Sequence, residues 1–474
     1  MSTGTRSKFY ADIMACHPEV TGSCTLVVVK FPDGTNSKFV VDCGLFQERE
    51  YSVYNTEFPF DPTDIDFAVI THNHIDHTGR LPLLVKKGYS KEIYTTKETK
   101  ILIEPALEDS YRVLRQLGKR ENTKELYSSQ DVGNALSLIK GCSYNEEIWA
   151  NPNIRLYFLP NGHLNGAAMI LVKIGCIGYN DINLLFTGDF NKRNTFFEVP
   201  EVPREVLDLP LTIIQESTYG DMDSSQIEYT FDDKLIQAVE SGKTVITPAY
   251  SLGRAQEVLY RIKQLQDSGK LSKNIPVYLD GKLAIRYTSL YLSGNINILP
   301  EKKNFLPSGM IQVDKELRQK IIADDSAKII VCSSGSGSYG PAQTYIQEFL
   351  SRRNALILFT GFTPKDSLGS RLENTPIGET VQVGGLVIVR RAEVSYVNEF
   401  SAHAKSDEML EFLDKFEAPK LILVNHGAES VKELFAQKII KTVKNAKKVG
   451  ILDRRYFFRV DTYGLIKTMS TKFE

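Results

Sequence analysis

Six short apolar runs in this chain share one property: a side chain that can bind a metal ion follows each of them within a few residues. These side chains are Asp42, His72, His163, Asp189, Glu216 and His426. Runs of β-branched and aromatic residues bounded by turn residues predict buried strands. In layered α/β proteins, functional sites gather where strands end and loops begin. We therefore expect the six strand ends to converge on one site.

Helical patterns alternate with these strands. We predict helices over residues 95–114, 130–139 and 406–416, the last from apolar side chains at i, i+3, i+4 and i+7. This alternation predicts an α/β fold built in layers. The chain has 474 residues, of which 42% are hydrophobic and 24% charged, so it is long enough for two or three domains. No internal repeat or low-complexity linker separates them, which indicates domains that are fused tightly or nested.

Charge and cysteine usage exclude some classes of function. The formal net charge is −1, so any nucleic-acid site must be a local patch. Six scattered cysteines without a C-x-x-C pair predict reduced, mostly buried thiols in the cytoplasm. No stretch approaches the roughly 18 apolar residues of a membrane span, and residues 1–14 lack the apolar centre of a signal peptide. We therefore expect a soluble cytoplasmic protein with no membrane partner.

The sequence VITHNHIDHTGRLP, residues 69–82, contains three of the chain's seven histidines. If the chain stays extended, His72, His74 and Asp76 project to one side. A helix that begins near Thr78 would turn His77 to another side, so one strand end could present ligands to two neighbouring ions. Imidazole and carboxylate suit zinc, and also manganese or iron. A polar loop with chance histidines is the alternative, which the positions of the other histidines disfavour.

Three further histidines lie in separate short motifs: His163 in LPNGHLNGA, His403 in FSAHAKS and His426 in LVNHGAE. Each alone is more often a core or capping residue than a ligand. Together with the histidine cluster and with Asp189, whose carboxylate could bridge two cations, they favour a metal site. Only His17 lies outside this set.

These motifs carry a family resemblance. THNHIDH resembles the H-x-H-x-D-H signature of the metallo-β-lactamase superfamily, and VVDCGLFQ, NGHLNGAA and FTGDF resemble its other metal motifs. QESTYG, FSAHA and VNHGAE look like the three additional motifs of the β-CASP nucleases. The resemblance spans nearly the whole chain in the same order. It points to bacterial relatives of the pre-mRNA 3′-end cleavage endonuclease and thus to a place in RNA processing.

The resemblance implies a role for each side chain. The implied ligands are His72, His74 and His163 for one zinc ion, Asp76, His77 and His426 for a second, and Asp189 as the bridge. Asp42 would orient the histidine cluster without binding a metal ion itself. Glu216 would hydrogen-bond His403, the implied general acid, and Asp76 joins these two as an implied catalytic side chain. The family's DNA-cutting branch carries valine in the last motif, so His426 favours RNA.

This residue set fits phosphodiester hydrolysis. Two cations provide a bridging hydroxide of lowered pKa and neutralise charge on the phosphate oxygens. The leaving oxygen needs a proton, which a histidine with a pKa near ~6.5 can supply. A carboxylate beside that histidine raises its pKa and fixes its ring. Together with this chemistry, the family resemblance implies a two-zinc ribonuclease that cuts single-stranded RNA endonucleolytically.

Two other functions stay open. One is a 5′-exoribonuclease that resembles ribonuclease J, and the other is a non-catalytic RNA-binding member of the family. The complete set of implied ligands disfavours the second. A hydrolase of small esters or lactams is disfavoured because the β-CASP motifs are present. The oligomeric state is not readable from the sequence, with a homodimer as one option.

Two stretches depart from the family pattern. Lys405 stands where the family usually has an aspartate two residues after His403, and Asp407 could substitute for it. The stretch CSSGSGSYGPAQ, residues 332–343, differs from the usual methionine-containing version. Its glycines fit the G-x-G-x-x-G pattern of a nicotinamide dinucleotide site, but the acidic residue expected about 20 positions later is missing.

The same glycine loop suits contact with an RNA phosphate, because backbone N–H groups at a helix start bind phosphate. The candidate contacts are Ser334, Gly335, Ser336 and, from a second loop, Arg254. A tight turn and a surface ion pair are the alternatives. A lysine-rich helix near residues 432–448 is a further candidate RNA contact, although most such faces are merely solvated.

The predicted architecture is a metallo-β-lactamase αββα sandwich formed by residues 1–218 and 390–474. An α/β domain of the β-CASP type, residues 219–389, is predicted as an insertion between them.

Overall fold

The computed structural model describes residues 8–361 and 363–471. Residues 1–7 of the predicted N-terminal segment, Phe362, and the last three residues of the predicted second sandwich part lie outside the described residues. The chain separates into two compact units. The first contains the described residues through Asn194, Glu198–Ser224 and the described residues from His403 onward, and the second contains Thr195–Phe197 and Ser225–Ala402. The domain boundaries after residue 218 and before residue 390 stay predictions.

The first part of unit one alternates strands and helices. Its strands are β1 (Tyr10–Ala15), β2 (Thr25–Lys30), β3 (Asn36–Val41), β4 (Phe67–Val69), β5 (Ile93–Thr96), β6 (Ile139–Cys142), β7 (Ile148–Asn151), β8 (Ile154–Pro160), β9 (Ala168–Ile174), β10 (Ile182–Phe186) and β11 (Leu211–Gln215). Its helices are α1 (Ile75–Thr78), α2 (Leu81–Lys86), α3 (Lys97–Glu121), α4 (Ser129–Leu138) and α5 (Arg204–Leu207).

Unit two follows in the chain. Its strands are β12 (Thr244–Pro248), β13 (Val277–Asp280), β14 (Ile311–Gln312), β15 (Lys328–Cys332), β16 (Ala355–Phe359), β17 (Thr380–Val383), β18 (Leu386–Val389) and β19 (Glu393–Tyr396). Its helices are α6 (Phe231–Glu240), α7 (Arg254–Asp267), α8 (Lys282–Leu292), α9 (Lys315–Ala323), α10 (Gly340–Phe349) and α11 (Leu368–Glu373).

The chain then completes unit one. The closing elements are helices α12 (Ser406–Asp414) and α13 (Glu429–Thr442) and strands β20 (Pro419–Val424), β21 (Val449–Ile451), β22 (Tyr456–Asp461) and β23 (Gly464–Ser470).

Unit one contains two mixed sheets. The first has the order β23-β22-β1-β2-β3-β4-β5-β6, and the second has the order β21-β20-β11-β10-β9-β8-β7. Strands β3 to β6 are parallel, as are β10, β11, β20 and β21. Strand β8 runs in the same direction as β10, because each is antiparallel to β9.

The two sheets enclose a shared core because their strands are apolar on both faces. In β20, Leu423 packs into the core between the sheets, whereas Ile422 packs into a second core on the other face. In β3, Phe39 packs between the sheets and Val40 packs on the opposite face. Continuous apolar runs therefore form strands here, since successive side chains alternate between two buried surfaces.

Helices cover the outer face of each sheet. Apolar side chains of α2, α3 and α4 pack against the first sheet, and those of α12 and α13 pack against the second. Helix α3 begins where the Thr96 hydroxyl accepts a hydrogen bond from the Thr99 N–H, and α4 begins with a Ser128–Asp131 capping box. The resulting αββα sandwich confirms the predicted fold class of this unit.

Unit two is a separate three-layer α/β unit. Its six-stranded sheet has the order β14-β13-β15-β12-β16-β19, all parallel, and β17 and β18 form a hairpin. Alternate residues of β15 enter different cores: Ile329 packs with α6 and α7, whereas Ile330 packs with α9 and α10. This confirms the prediction of an inserted α/β unit.

The local predictions differ from the structure at one important place. The helix after the histidine cluster begins at Ile75 and not near Thr78, so Asp76 and His77 lie in the same helical turn. All six cysteines are free thiols and four are buried, as the composition predicts. Among the described helices, none combines the length and the apolar character that crossing a membrane requires.

Candidate metal centre

The six strand ends meet in unit one. Strands β3, β4, β8, β10, β11 and β20 all end at one edge of the sandwich, because they run in matching directions within their sheets. The side chains that follow form three groups whose ligand atoms lie within 4.8 Å of one another: His72, His74, His163 and Asp189; Asp76, His77 and His426; Asp189, Glu216 and His403. Each of these residues was a candidate from the sequence, and the structure brings them together.

The first group surrounds Oδ2 of Asp189. Nδ1 of His74 lies 3.0 Å from Nε2 of His72 and 3.1 Å from Nε2 of His163. Nε2 of His72 and Nε2 of His163 each lie 3.5 Å from Oδ2 of Asp189. Three ring nitrogens and one carboxylate oxygen thus face a single point, which is a donor set that zinc accepts.

The second group surrounds the other oxygen of the same carboxylate. Oδ1 of Asp189 lies 3.1 Å from Nε2 of His77 and 3.4 Å from Nδ1 of His426. The two histidines approach each other to 3.1 Å between their Nε2 atoms, and Oδ2 of Asp76 lies 3.8 Å from Nε2 of His77. Asp189 therefore presents one oxygen to each group, the arrangement that a bridging carboxylate needs.

The residues fit a metal pair on two further observations. Oδ1 of Asp189 is buried and accepts no hydrogen bond from the described residues, which is costly for a carboxylate unless a cation is close. In a tetrahedral zinc site with bonds of about 2.0–2.1 Å, neighbouring ligand atoms lie about 3.3–3.4 Å apart. The separations around Asp189, from 3.1 to 3.5 Å, are of this size.

Protonation differs among the histidines. Burial lowers the pKa of His72 and of His74 below the ordinary value, which favours the neutral imidazole that binds metal. Burial also lowers the pKa of His77, but the carboxylates of Asp189 and Asp42 raise it by more. The two carboxylates beside His77 therefore stabilise a positive charge at this ring, which a proton or a metal ion can supply.

Asp42 orients His77 of the second group by binding the ring nitrogen that does not face the site. Its Oδ2 accepts a hydrogen bond from Nδ1 of His77 at 2.8 Å, so that Nε2 of the ring faces the site. Its Oδ1 accepts the backbone N–H of Thr71 at 2.9 Å. Asp42 adopts a left-handed φ of 62°, which turns the chain sharply at the end of β3.

Gly44 lets helix α1 approach this turn. The backbone around it is tied by hydrogen bonds from the N–H groups of Ser23 to Asp76 O and of Cys43 to His77 O. A Cβ built on Gly44 would lie 1.5 Å from the carbonyl oxygen of Asp76. Because that atom belongs to the backbone, the clash cannot be relieved by a side-chain rotation.

We therefore expect Gly44→Ala to displace α1, to lower the free energy of unfolding by about 3 kcal/mol or more, and to weaken metal binding. Gly133, in the middle of α4, has open space within 4 Å of the position that a Cβ would take, and it is the matched control. Gly133→Ala should be neutral or stabilising by about 0.5–1 kcal/mol. Thermal unfolding and metal content of both variants check this, and equal stability of the two would contradict it.

Sequence reasoning missed Asn161, which joins two of the ligand loops. Its Oδ1 accepts the backbone N–H of His163 at 2.9 Å, and its Nδ2 donates to the carbonyl oxygens of Thr187 and Asp189, both at 3.0 Å. The side chain thus fixes the His163 loop relative to the Asp189 loop. The Pro-Asn-Gly turn in the sequence was a visible signal of a turn residue, but its partners are 26 and 28 positions away.

His403 and Glu216 form a hydrogen-bonded pair beside the first group. Nδ1 of His403 lies 3.0 and 3.1 Å from the two carboxylate oxygens of Glu216. Glu216 is held in turn by the backbone N–H groups of Phe190 and Thr218. Nε2 of His403 faces the metal groups, 3.8 Å from Oδ2 of Asp189. The imidazole is therefore oriented with one nitrogen on a carboxylate and the other towards the centre.

The charge state of His403 follows from these neighbours. Burial lowers its pKa, but the carboxylates of Glu216 and Asp189 raise it by more, so the pKa lies above the ordinary value. The raised pKa favours the protonated imidazole, which is the form that a general acid requires.

The structure shows what Lys405 and Asp407 contact, the two residues whose roles the sequence left open. Lys405 is buried and places Nζ 3.5 Å from the ring centre of Tyr219. Asp407 accepts hydrogen bonds from the N–H and the hydroxyl of Ser224. Asp407 thus holds the chain at the end of the middle segment of unit one, whereas Lys405 lies close to the ring that packs on His403.

The candidate RNA contacts lie in unit two. Arg254 is the first residue of α7, is 8% exposed, and lies 3.7 Å from the carboxylate of Glu257. The loop with Ser334, Gly335 and Ser336 connects β15 to α10, as the glycine pattern predicts. Both places are at the carboxyl edge of a parallel sheet, where α/β proteins bind ligands.

The remaining candidates have structural partners. His17 is buried, and its Nδ1 accepts the backbone N–H of Cys24. In the lysine-rich helix, Lys432 is buried and donates to the carbonyl oxygen of Pro18, and Lys438 donates to the hydroxyl of Ser406. The expectation of a solvated lysine is wrong at Lys432, whose side chain is buried, whereas Lys438 stays partly exposed. Both side chains tie α13 to neighbouring segments.

Three family models match successive parts of the chain. The metallo-beta-lactamase superfamily model matches residues 17–136, the Beta-Casp domain model matches residues 255–372, and the model of the Zn-dependent metallo-hydrolase RNA specificity domain matches residues 387–450. A solved structure of a protein of unknown function from Enterococcus faecalis has a TM-score of 0.53 at 13% identity and covers 98% of this chain and 100% of that chain. That likeness concerns the fold alone.

Three relatives are similar over most of this chain. A ribonuclease of Thermus thermophilus is 30% identical over 87% of this chain and 91% of its own length. The transcription termination factor FttA of Methanosarcina mazei is 30% identical over 90% of this chain and 68% of its own. The endoribonuclease ysh1 of Schizosaccharomyces pombe is 28% identical over 78% of this chain and 48% of its own. This chain therefore belongs to the β-CASP family of metallo-β-lactamase hydrolases.

Proposed function

We propose that this protein is a two-zinc ribonuclease that cuts single-stranded RNA endonucleolytically. The observation that carries the proposal is Asp189, whose two oxygens face two separate histidine groups while the His403–Glu216 pair lies beside them. The relatives named as a ribonuclease and an endoribonuclease support RNA as the substrate. The match to an RNA specificity domain over residues 387–450 supports it as well.

The chain's own residues would divide the metal-binding work. One ion would be held by His72, His74 and His163, and the other by Asp76, His77 and His426, with Asp189 shared between them. Bound zinc would supply an activated water as nucleophile and would neutralise charge on the scissile phosphate. Asp42 would keep Nε2 of His77 directed at the site through its hydrogen bond to Nδ1.

His403 would act as the general acid. Its Nδ1–H is held by Glu216, so Nε2 is the nitrogen that would carry the proton for the leaving oxygen. The side chain of His403 is 19% exposed, whereas that of Glu216 is 1% exposed, so the histidine is the partner that a substrate can reach. Glu216 would fix the ring and favour its protonated form.

Glu216→Gln should therefore move the alkaline limb of the pH–rate profile to lower pH. The protonated form of His403 is the active one, so activity falls as pH rises through its pKa, and loss of the Glu216 charge lowers that pKa. We also expect kcat to fall about ten- to hundredfold. Initial rates of RNA cleavage between pH 5 and 9, roughly the titration range of histidine, measure both effects.

Glu411→Gln is the matched control, because Glu411 is an exposed carboxylate paired with Lys192. Its profile should coincide with that of the unmodified protein. An alkaline limb that stays in place in Glu216→Gln would contradict the role assigned to this pair.

In unit two, Arg254 and the loop of Ser334, Gly335 and Ser336 are proposed to contact RNA phosphates. The loop of Ser334, Gly335 and Ser336 leads from β15 into helix α10, and backbone N–H groups at a helix start can bind an anion. Arg254→Ala should weaken RNA binding and should reduce its salt dependence, because each phosphate contact releases counterions. Binding titrations at several salt concentrations measure this slope.

The function is tested with purified protein, metal analysis of the same sample, and defined RNAs labelled at either end. Internal cuts that depend on zinc support the proposal. A ladder of single nucleotides from a 5′-monophosphate end would assign 5′-exonuclease activity instead. RNA binding without cleavage in the metal-loaded protein would assign a non-catalytic role. Sedimentation of the same sample measures whether the chain forms the homodimer that the sequence left open.

A further inference from the structure

We propose that Lys405 and Tyr219 form a positioning pair that holds the ring of His403 in its productive orientation. The inference rests on the proposed function, because it concerns the group assigned as general acid. Neither residue is proposed to touch the substrate. Their effect would be exerted through His403, and it is specific to a chain that carries lysine at position 405.

Lys405 breaks a local rule of helix structure. It is the N-cap residue of α12, a position that favours Ser, Thr, Asp or Asn because their side chains accept a backbone hydrogen bond. A cation at this end also opposes the helix dipole. The helix compensates at Glu408, whose carboxylate accepts the backbone N–H of Lys405. An aspartate would serve the cap better, so the lysine indicates a different requirement at this position.

The lysine is also buried, and burial of an ammonium group is costly unless its surroundings compensate for the lost water. Lys405 is 2% exposed, and its Nζ lies 3.5 Å from the ring centre of Tyr219. This is a close cation–π contact, which gains strength when it is shielded from water. The contact therefore fixes the Tyr219 ring against the ammonium group of Lys405.

The fixed tyrosine ring meets His403 edge-on. The centres of the Tyr219 and His403 rings are 5.9 Å apart at an interplanar angle of 80°. Glu216 restrains Nδ1 of His403, but one hydrogen-bonded edge still allows the ring to tilt about that edge. A ring packed against the histidine limits this tilt and so keeps Nε2 aimed at the metal groups.

The backbone on both sides of Lys405 is anchored, so a substitution there should not release the segment. The N–H of Ala404 donates to Phe190 O at 2.7 Å, and the N–H of Ser406 donates to Met222 O at 2.8 Å. The Ser406 hydroxyl also accepts a hydrogen bond from Lys438. The side chain of Lys405, and not the path of the chain, is thus what its substitution removes.

Lys405→Met tests the pair, because methionine keeps an unbranched stem and removes the charge. Tyr219→Leu removes the aromatic ring of the same contact. Lys405→Arg keeps a positive charge beside the Tyr219 ring. Each is assayed on single-stranded RNA and on bis(p-nitrophenyl) phosphate. The p-nitrophenolate group leaves without protonation, so its release does not need a general acid. Metal content and melting temperature are measured on the same samples.

We expect Lys405→Met and Tyr219→Leu to lower kcat on RNA about tenfold, with KM and metal content unchanged and with little loss on the nitrophenyl ester. Lys405→Arg should recover most of the RNA activity. In a His403→Ala background, Lys405→Met should have no further effect, because the residue acts through the histidine.

Three outcomes would overturn the inference while leaving the proposed function intact. These are equal losses on both substrates, a further loss in the His403→Ala background, and full RNA activity of both Lys405→Met and Tyr219→Leu. If the unmodified, metal-loaded protein cleaves no RNA, the proposed function fails and the positioning role is rejected with it.

Discussion

Asp189→Asn is expected to remove metal from both groups at once and to abolish RNA cleavage. Its two carboxylate oxygens face the two histidine groups, at 3.5 Å from His72 and 3.1 Å from His77. An amide of the same shape loses the negative charge and presents one oxygen instead of two equivalent ones. Because the proposed ions would supply most of the charge stabilisation, we expect activity to fall on the order of a thousandfold or more.

Metal analysis by mass spectrometry and initial rates on labelled RNA measure the two effects on one sample. Asp181→Asn is the matched control, since Asp181 pairs with Arg155 at the start of β10, outside the ligand groups. It should keep its metal and its activity. An Asp189→Asn protein with a full complement of metal would contradict the bridging role.

His403→Ala is expected to separate metal binding from cleavage. His403 packs beside the ring of His163 and approaches the Asp189 carboxylate, but it is not a member of the first group, so that group keeps all its ligand atoms in the variant. Loss of a positioned general acid typically costs about 10²- to 10⁴-fold in rate. The rate on RNA should fall by this factor, whereas zinc content should be unchanged. The melting temperature should fall, because the buried Glu216 carboxylate loses its partner.

Two measurements make this prediction specific to proton donation. On a phosphodiester with a p-nitrophenolate leaving group, the variant should retain most of its activity, because that group needs no proton. Its alkaline pH limb on RNA should also disappear, since His403 would cause it. Equal losses on both substrates would assign His403 to metal binding or to structure instead.

The sequence predicts the layered fold because its strands are unusually apolar. Runs such as LTIIQ and LILVN become β11 and β20, in which every residue or nearly every residue is buried. Since the same runs end at Glu216 and His426, the positions of the candidate ligands follow from the strand ends. The 349 positions between His77 and His426 are bridged because β4 in the first sheet and β20 in the second end at the same edge of the sandwich.

Other features depend on contacts that local patterns do not encode. Helix α1 begins early, at Ile75, and its backbone approaches the loop after β3 at Gly44, where there is no room for a Cβ. The bond from Asn161 to the Asp189 loop and the packing of Tyr219 on His403 are likewise non-local. Lys405 is visible in the sequence only as a departure from a pattern, and its partner ring becomes evident in the fold.

The most direct test of the two-metal assignment is a zinc titration of the metal-free protein, with bound zinc and RNA cleavage measured at each point. Saturation is expected at two ions per chain, one for each histidine group, and cleavage should rise with occupancy of both. Full activity in the metal-free protein would contradict the two-metal assignment. Saturation with zinc while the loop of His72–His77 binds no zinc would contradict it as well.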